Sequence, residues 1–358
     1  MTAPSAWPWI VGLVFLLSAL LTGVMRLYAL HHGLMDRPNS RSSHIVTTPR
    51  GGGLAFVLVY LSALFWAQQL SLPGVEQVGP LFSVLLYGGG LVAVIGFVDD
   101  HRHVSAWMRL LVHGFAAGLA VWVLGTPQMT LGGWLVPQGW WLSLLFIVAL
   151  VWLLNLYNFM DGIDAIASLQ AISVLCGVTL ILILNGVAMV SLLWLILLIS
   201  GVAGFLLWNW PPAKIFMGDA ASGFLGFSLG VFACYSVQHY PISLWSWLIL
   251  LGLFVVDASW TLVVRMLNGE KWHQPHAKHA YQILTRKRQA LCEKQGLPPE
   301  SARARAHLWV VLSELGVNLL WLTPMAWLAS VYSDYGVAIL ILAFVPLLIA
   351  EWCLGAGK

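Results

Sequence analysis

Residues 139–164 read GWWLSLLFIVALVWLLNLYNFMDGID. The stretch is almost continuously apolar from Trp140 to Leu154. It then ends in a polar knot of Asn155, Asn158, Asp161 and Asp164. An apolar run without alternation is not a barrel strand, and this one approaches the ~20 residues that carry a helix across a bilayer. The same shape recurs along the chain. Eleven candidate spans follow, at roughly 8–30, 51–70, 80–98, 106–124, 139–157, 164–184, 188–208, 220–238, 243–266, 308–329 and 335–354. The expected fold is an all-α polytopic integral membrane protein with about eleven transmembrane helices. Residues 1–358 form a single transmembrane domain, and 267–307 is a cytoplasmic loop within it.

Composition agrees. A soluble chain of 358 residues would usually hold two or three domains. Here charged residues make up 9%, against about 25% in an ordinary soluble domain. Apolar residues make up 60%, and mean hydropathy is +0.85. That leaves too little polar surface to coat a soluble particle, which excludes a soluble enzyme, a disordered chain and a disulfide scaffold. Cys176, Cys234, Cys292 and Cys353 form no CxxC pair and read as core thiols.

Charge fixes the expected orientation. No Lys or Arg precedes the first apolar run and Arg26 follows it, unlike a secretory signal. This places the N-terminus outside and the next loop inside. All 17 Lys and Arg then fall in or beside 31–50, 99–105, 158–163, 209–219, 267–307 and the C-terminal tail. The opposite loops carry none, as the positive-inside rule requires. The histidines cluster on the same side, with His239 the exception.

Five polar clusters lie at this cytoplasmic face. The first is DRPNSRSSH (36–44), with Arg41 and His44, followed by PRGGG (49–53). Glycines at a helix mouth let backbone approach an anion, while a basic loop on lipid headgroups is the plainer reading. The second is Asp99-Asp100 with Arg102, His103 and Arg109. Paired carboxylates at a helix C-terminus oppose the dipole and each other, so a cation or proton must relieve them. Mg²⁺ does so with phosphate oxygens, and salt bridges to the arginines do so without metal. The third is Asn155, Asn158, Asp161, Gly162 and Asp164. Spacing of three places two amides and a carboxylate on one stripe, and an N-cap for the next span explains only one of them. The fourth is KIFMGDAAS (214–222), in which Asp219 is a helix cap or a metal ligand. The fifth is His273, His276 and His279 with Lys278, whose spacing suggests metal or phosphate contacts, though not zinc without a thiolate, while a solvated basic loop is the plainer reading. Residues 281–294 are expected to form a short helix before the Pro298-Pro299 break. Among buried acids, Asp257 reads as functional and Glu351, near a span end, as snorkelling.

Together these groups suit Mg²⁺-dependent chemistry on a diphosphate with a lipid as second substrate. The order of the motifs DRPNSRSSH with PRGGG, DD at 99–100, NLYNFMDGID at 155–164, FMGD at 216–219 and HAKHAYQ at 276–282 resembles the polyprenyl-phosphate N-acetylhexosamine-1-phosphate transferase superfamily, glycosyltransferase family 4. The forms RSSH and HxxHxYQ look most like its O-antigen-initiating branch. The resemblance implies a bacterial inner-membrane enzyme with its active site at the cytoplasmic face. It implies a UDP-N-acetylhexosamine of the N-acetylglucosamine, N-acetylfucosamine or N-acetylquinovosamine type. The phosphate of undecaprenyl phosphate attacks its β-phosphorus and UMP leaves. Asp99, Asp100 and Asp219 would be catalytic, with Asp219 and Asp161 on Mg²⁺, or Mn²⁺ in its place. Asn155, Asn158, Asp161, Gly162, Asp164, Phe216, His276, His279, Arg109, Arg41 and His44 would bind substrate, with Phe216 near the uracil. Membrane lipids are expected partners, a homodimer is left open, and no nucleic-acid partner is expected.

The chain departs from the family pattern at His103, where Lys is usual, at Ala165 and Ala221, where Gly is usual, and at Lys278 inside the histidine motif. The rival readings are a catalytically inactive relative and a membrane transporter. A transporter would place its site near the midplane, in repeated halves.

Overall fold

The computed structural model describes residues 7–38, 46–72, 74–75, 78–270 and 276–358. Arg41, His44 and His273 lie outside them. The described chain is helical apart from two short antiparallel pairs: β1 (Met35–Asp36) with β2 (Thr48–Pro49), and β3 (Thr130–Leu131) with β4 (Trp134–Leu135).

The helices are α1 (Trp7–His32), α2 (Leu54–Gln69), α3 (Gly79–His101), α4 (Ala106–Leu124), α5 (Trp140–Met160), α6 (Ile166–Leu184), α7 (Met189–Asn209) and α8 (Asp219–His239). They continue as α9 (Leu244–Leu250), α10 (Gly252–Leu267), α11 (Ala280–Lys294), α12 (Pro299–Val331) and α13 (Ser333–Leu354). Nine of these are long and apolar enough to span a membrane, and the pair α9–α10, bent by 72° at Leu251, would be a tenth. Helix α2, with 16 residues, is about 24 Å long at 1.5 Å per residue, short of a hydrocarbon core of about 30 Å. The polytopic all-α architecture is as expected, with these as the described candidates for crossing.

Apolar side chains face outward in rows, as lipid contact allows: Leu13, Leu16 and Leu20 on α1, and Ile341, Leu342 and Val345 on α13. Helix α8 is the inverse. It is buried from Ala220 to Ser236 and forms the axis of the bundle. Its small residues permit this, since a Cβ at Gly226 would stand 2.8 Å from Tyr157 Cβ and one at Gly230 2.5 Å from Leu150.

Three sequence boundaries shift. Helix α5 runs through Asn158 to Met160 and α6 starts only at Ile166, so Asp161 follows one helix without capping the next. Asp219 is the first residue of α8, behind Gly218. The segment expected as loop 267–307 holds α11 and the first turns of α12, which starts at Pro299, a favoured first-turn residue. Glu351 does not snorkel. It is 6% exposed, because the chain turns back beyond it at Gly355 and Gly357 N donates to Lys278 O (3.0 Å).

Candidate active site

Alternation of the helices brings the ends of α3, α5, α7 and α10 and the starts of α4, α6 and α8 to one end of the bundle. Gly96 lets α3 arrive there at close quarters: a Cβ would stand 2.5 Å from Ala220 N. The last turn of α3 therefore lies against the first turn of α8, and Asp99 and Asp100 meet Asp219.

Asp99 accepts from Val104 N (2.7 Å) and from Arg109 Nη1 (2.8 Å). The same Arg109 nitrogen lies 3.6 Å from Asp219 Oδ2, so one guanidinium on α4 bridges two carboxylates. Asp100 is 4% exposed. It faces the amides of Asp219 and Ala220, yet neither of its carboxylate oxygens gains a full hydrogen bond among the described residues. Arg50 Nε stands 3.7 Å away, and Arg50 Nη2 donates to the main-chain oxygen of Asp100. From α5, Asn158 Nδ2 donates to Ser222 Oγ (3.0 Å) and its amide also meets the Asp219 carboxylate. Asn155, one turn earlier, donates to Val151 O (2.7 Å) and abuts the buried His113 of α4.

Asp161 completes the carboxylate group. Burial first, and then the charges of Asp219, Asp100 and Asp164, push its pKa up to about 7. That is the response of a carboxylate to a site with surplus negative charge. A divalent cation relieves the same surplus. Among the described residues no three His, Cys, Asp or Glu side chains form a group able to hold a metal. An ion that takes one or two carboxylates and completes its shell with water and phosphate oxygens, the habit of Mg²⁺, does not require such a group.

The glycine triplet is used against protein. Phe216 N donates to Pro49 O (2.8 Å), Gly52 N to Phe216 O (3.0 Å) and Gly53 N to Met217 O (3.0 Å). Segment 49–53 thus lies along 216–217, and the Phe216 ring is left half-buried at the edge. A Cβ at Gly53 would meet the Ala221 methyl at 2.3 Å, so Ala221 fills space that Gly53 leaves. Ala165 takes a left-handed conformation (φ 67°), which a glycine adopts without strain. Its amide donates to Asn209 Oδ1 (2.9 Å).

The histidine motif is held from inside the bundle. Asp257 of α10 accepts from His279 Nδ1 (3.0 Å), Ala280 N (3.1 Å), Tyr281 N (3.2 Å) and Thr261 Oγ1 (3.2 Å). This intramembrane acid is the anion at the N-terminus of α11. A His279 that donates from Nδ1 keeps Nε2 as its acceptor. The His276 ring lies 4.8 Å from that of His279. Burial, and then the charges of His279, Arg265 and Lys278, lower its pKa to about 4, so it meets a ligand as a neutral imidazole. Gly162 links this motif to the carboxylates: a Cβ there would fall 2.1 Å from Tyr281 Oη.

Asp164 points elsewhere. It is 1% exposed and accepts from Ala213 N (3.1 Å), with Arg303 and His307 of α12 beside it. Burial alone would raise its pKa, but the hydrogen bond and charge of His307, the charge of Arg303 and the Ala213 amide hold it below the usual range. Arg50, His113, Asn209, Ser222, Arg303 and His307 were not among the expected site residues. For the pair on α12 a signal exists: spacing of four in ARARAH puts both on one helix face.

Residues 82–237 match glycosyl transferase family 4. The chain is 26% identical to a probable undecaprenyl-phosphate N-acetylglucosaminyl 1-phosphate transferase of Bacillus subtilis, over 77% of this chain and 76% of the relative. It is 26% identical to an undecaprenyl-phosphate alpha-N-acetylglucosaminyl 1-phosphate transferase of Thermotoga maritima, over 76% and 80%. It is 30% identical to a phospho-N-acetylmuramoyl-pentapeptide-transferase of Gloeothece citriformis, over 63% and 62%. The matched stretch holds the end of α3, the α5–α6 junction and the start of α8, where the carboxylates converge. Over residues 82–237 the chain is similar to glycosyl transferase family 4, and over about three quarters of its length it is similar to proteins described as undecaprenyl-phosphate N-acetylglucosaminyl 1-phosphate transferases.

Proposed function

We propose that this protein transfers an N-acetylhexosamine 1-phosphate from a UDP-sugar to undecaprenyl phosphate and releases UMP, the first step of O-antigen or a related cell-envelope glycan. A phosphate oxygen of the lipid bonds to the β-phosphorus. The bond from that phosphorus to the bridging oxygen breaks, and the electron pair leaves with UMP. The N-terminus faces the periplasm of a bacterial inner membrane and the carboxylate cluster faces the cytoplasm, where UDP-sugars are found.

The observation that carries this reading is the meeting of Asp99, Asp100, Asp161 and Asp219 at one bundle end with Arg109 bridging two of them. A bound Mg²⁺ or Mn²⁺ would neutralise diphosphate charge and polarise the β-phosphorus. Asp219 and Asp161 would hold it. Asp99 and Asp100, backed by Arg109 and Arg50, place the lipid phosphate. Asn158 orients the Asp219 carboxylate. His276, as a neutral imidazole, and His279 reach the diphosphate or sugar by hydrogen bonding, and Phe216 borders the uracil. The rival transport reading expects a site near the midplane in repeated halves, whereas these groups sit at one end.

The test is UMP release by purified protein in detergent with undecaprenyl phosphate, Mg²⁺ and a panel of UDP-N-acetylhexosamines. Lipid-dependent UMP from one donor supports the proposal and identifies the sugar. Folded protein silent across the panel, or an undiminished rate in EDTA, contradicts it.

A further inference from the structure

A buried charged cluster stands behind the site without facing it. Asp164, Arg303 and His307 are 1%, 3% and 1% exposed. Arg303 Nη1 lies 3.7 Å from Asp164 Oδ1, and His307 Nδ1 lies 3.2 Å from Asp164 Oδ2. His307 Nδ1 also lies 3.2 Å from the Asp164 amide nitrogen. One ring nitrogen thus faces both ends of the residue: it accepts from the amide when bare and donates to the carboxylate when protonated. Buried ion groups of this kind are weak devices for stability, since well-packed apolar side chains often do as well. Their placement here has a further consequence.

Asp164 Oδ2 accepts from Ala213 N (3.1 Å), so the carboxylate ties the α5–α6 junction to the segment that leads into α8. Asn209 makes the parallel tie: it accepts from Ala165 N (2.9 Å) and donates to Ile215 O (3.1 Å). One tied segment carries Asp161 and the other Asp219. Arg303 and His307, on the first turns of α12, face Asp164 and reach the second segment through its carboxylate.

We infer that Arg303 and His307 are positioning residues for the transfer site, acting through Asp164 and the Ala213 amide to set the separation of the Asp161 and Asp219 carboxylates. The inference rests on reading those carboxylates as the cation-diphosphate site. Groups of this rank around a metal site change affinity by about 10–100-fold when removed.

The test pairs Mn²⁺ binding by electron paramagnetic resonance with UMP-release kinetics on detergent-purified full chain. H307L and R303M are expected to weaken Mn²⁺ binding by about tenfold or more and to lower kcat by about 10–100-fold. The KM for undecaprenyl phosphate should stay within about twofold, because Asp99, Asp100 and Arg109 lie outside the tie. H307N, which restores a polar atom near the Nδ1 position, should recover most of the Mn²⁺ affinity. Unchanged Mn²⁺ affinity and kcat in H307L and R303M, with only a lower melting temperature, overturns the inference in favour of a purely structural role. If H307L does not fold, R303K decides: tenfold weaker Mn²⁺ binding supports the inference and wild-type binding overturns it. Wild-type protein that neither binds Mn²⁺ nor releases UMP overturns the reading of the site itself, and the inference with it.

Discussion

Gly218→Ala tests the packing that brings the carboxylates together. Gly218 has φ 84° and ψ 162°, a region that L side chains avoid at a cost of about 1–3 kcal/mol. A Cβ there would stand 2.6 Å from Asp100 Oδ2, 2.8 Å from Gly51 Cα and 2.9 Å from Gly51 N. Overpacking of this sort adds about 1–3 kcal/mol, for a total destabilisation of about 2–6 kcal/mol. Two of the three contacts are with backbone, so Asp100 or the start of α8 must yield. Restoring an ordinary contact of 3.4 Å from 2.6 Å requires a shift of about 0.8 Å, and a misplacement of about 1 Å can lower a rate about 100-fold. The assay is UMP release alongside a melting curve in detergent read from tryptophan fluorescence. Gly118→Ala on α4 is the control, because nothing lies within 4 Å of its Cβ, and helix propensity favours it by up to about 1 kcal/mol. Wild-type rate and melting temperature in Gly218→Ala would refute the reasoning.

Asp219→Asn is expected to abolish turnover while leaving the melting temperature within a few degrees of wild type, and near-normal UMP release would remove Asp219 from the cation site. Asp164, whose folded pKa lies below the ordinary carboxylate value, contributes stability that is full above the unfolded pKa of about 3.9 and is lost as pH falls through the folded value. Asp164→Asn should therefore lower stability at pH 7 by about 3 kcal/mol and flatten the acid dependence below pH 4, and an unchanged acid limb in melting curves would count against the pairing with Arg303 and His307. Ala165→Gly relieves a left-handed residue worth about 1–2 kcal/mol, but loses a buried methyl of about 0.8 kcal/mol and frees the unfolded chain by about 0.4–1 kcal/mol. These effects oppose one another, so the measured stability should move by less than about 1 kcal/mol in either direction.

The apolar runs showed the architecture because a lipid-facing helix must be apolar along most of its length, and α1, α4, α7 and α8 end within a few residues of the expected limits. The break at Leu251 was hidden, since LLGLF is as apolar on one side of the bend as on the other. The start of α12 was hidden for the opposite reason: Pro299–His307 is too polar to read as part of a span, yet Arg303 and His307 within it are buried against protein while Glu300, Ser301 and Arg305 stay exposed. Within the site, the clusters at 99–100, 155–164 and 219 were legible because carboxylates at span ends are costly without a purpose. Long-range pairing was not. Nothing local in Asp257 announces that it holds the amides of Ala280 and Tyr281. Asp164 likewise gives no local hint of a partner 143 residues away in His307. The PRGGG glycines suggested a ligand or a headgroup and turned out to receive Ile215, Met217 and Ala221.

The most direct measurement follows the β-phosphorus. UDP-N-acetylhexosamine labelled with ³²P at the β-phosphate is given to the purified protein with undecaprenyl phosphate and Mg²⁺, and label is counted in the organic phase. Phospho-sugar transfer predicts that the label moves into the lipid in step with UMP release, and that Asp219→Asn stops both. Label that stays with a soluble nucleotide, or crosses a vesicle membrane in unreacted UDP-sugar, would contradict the account.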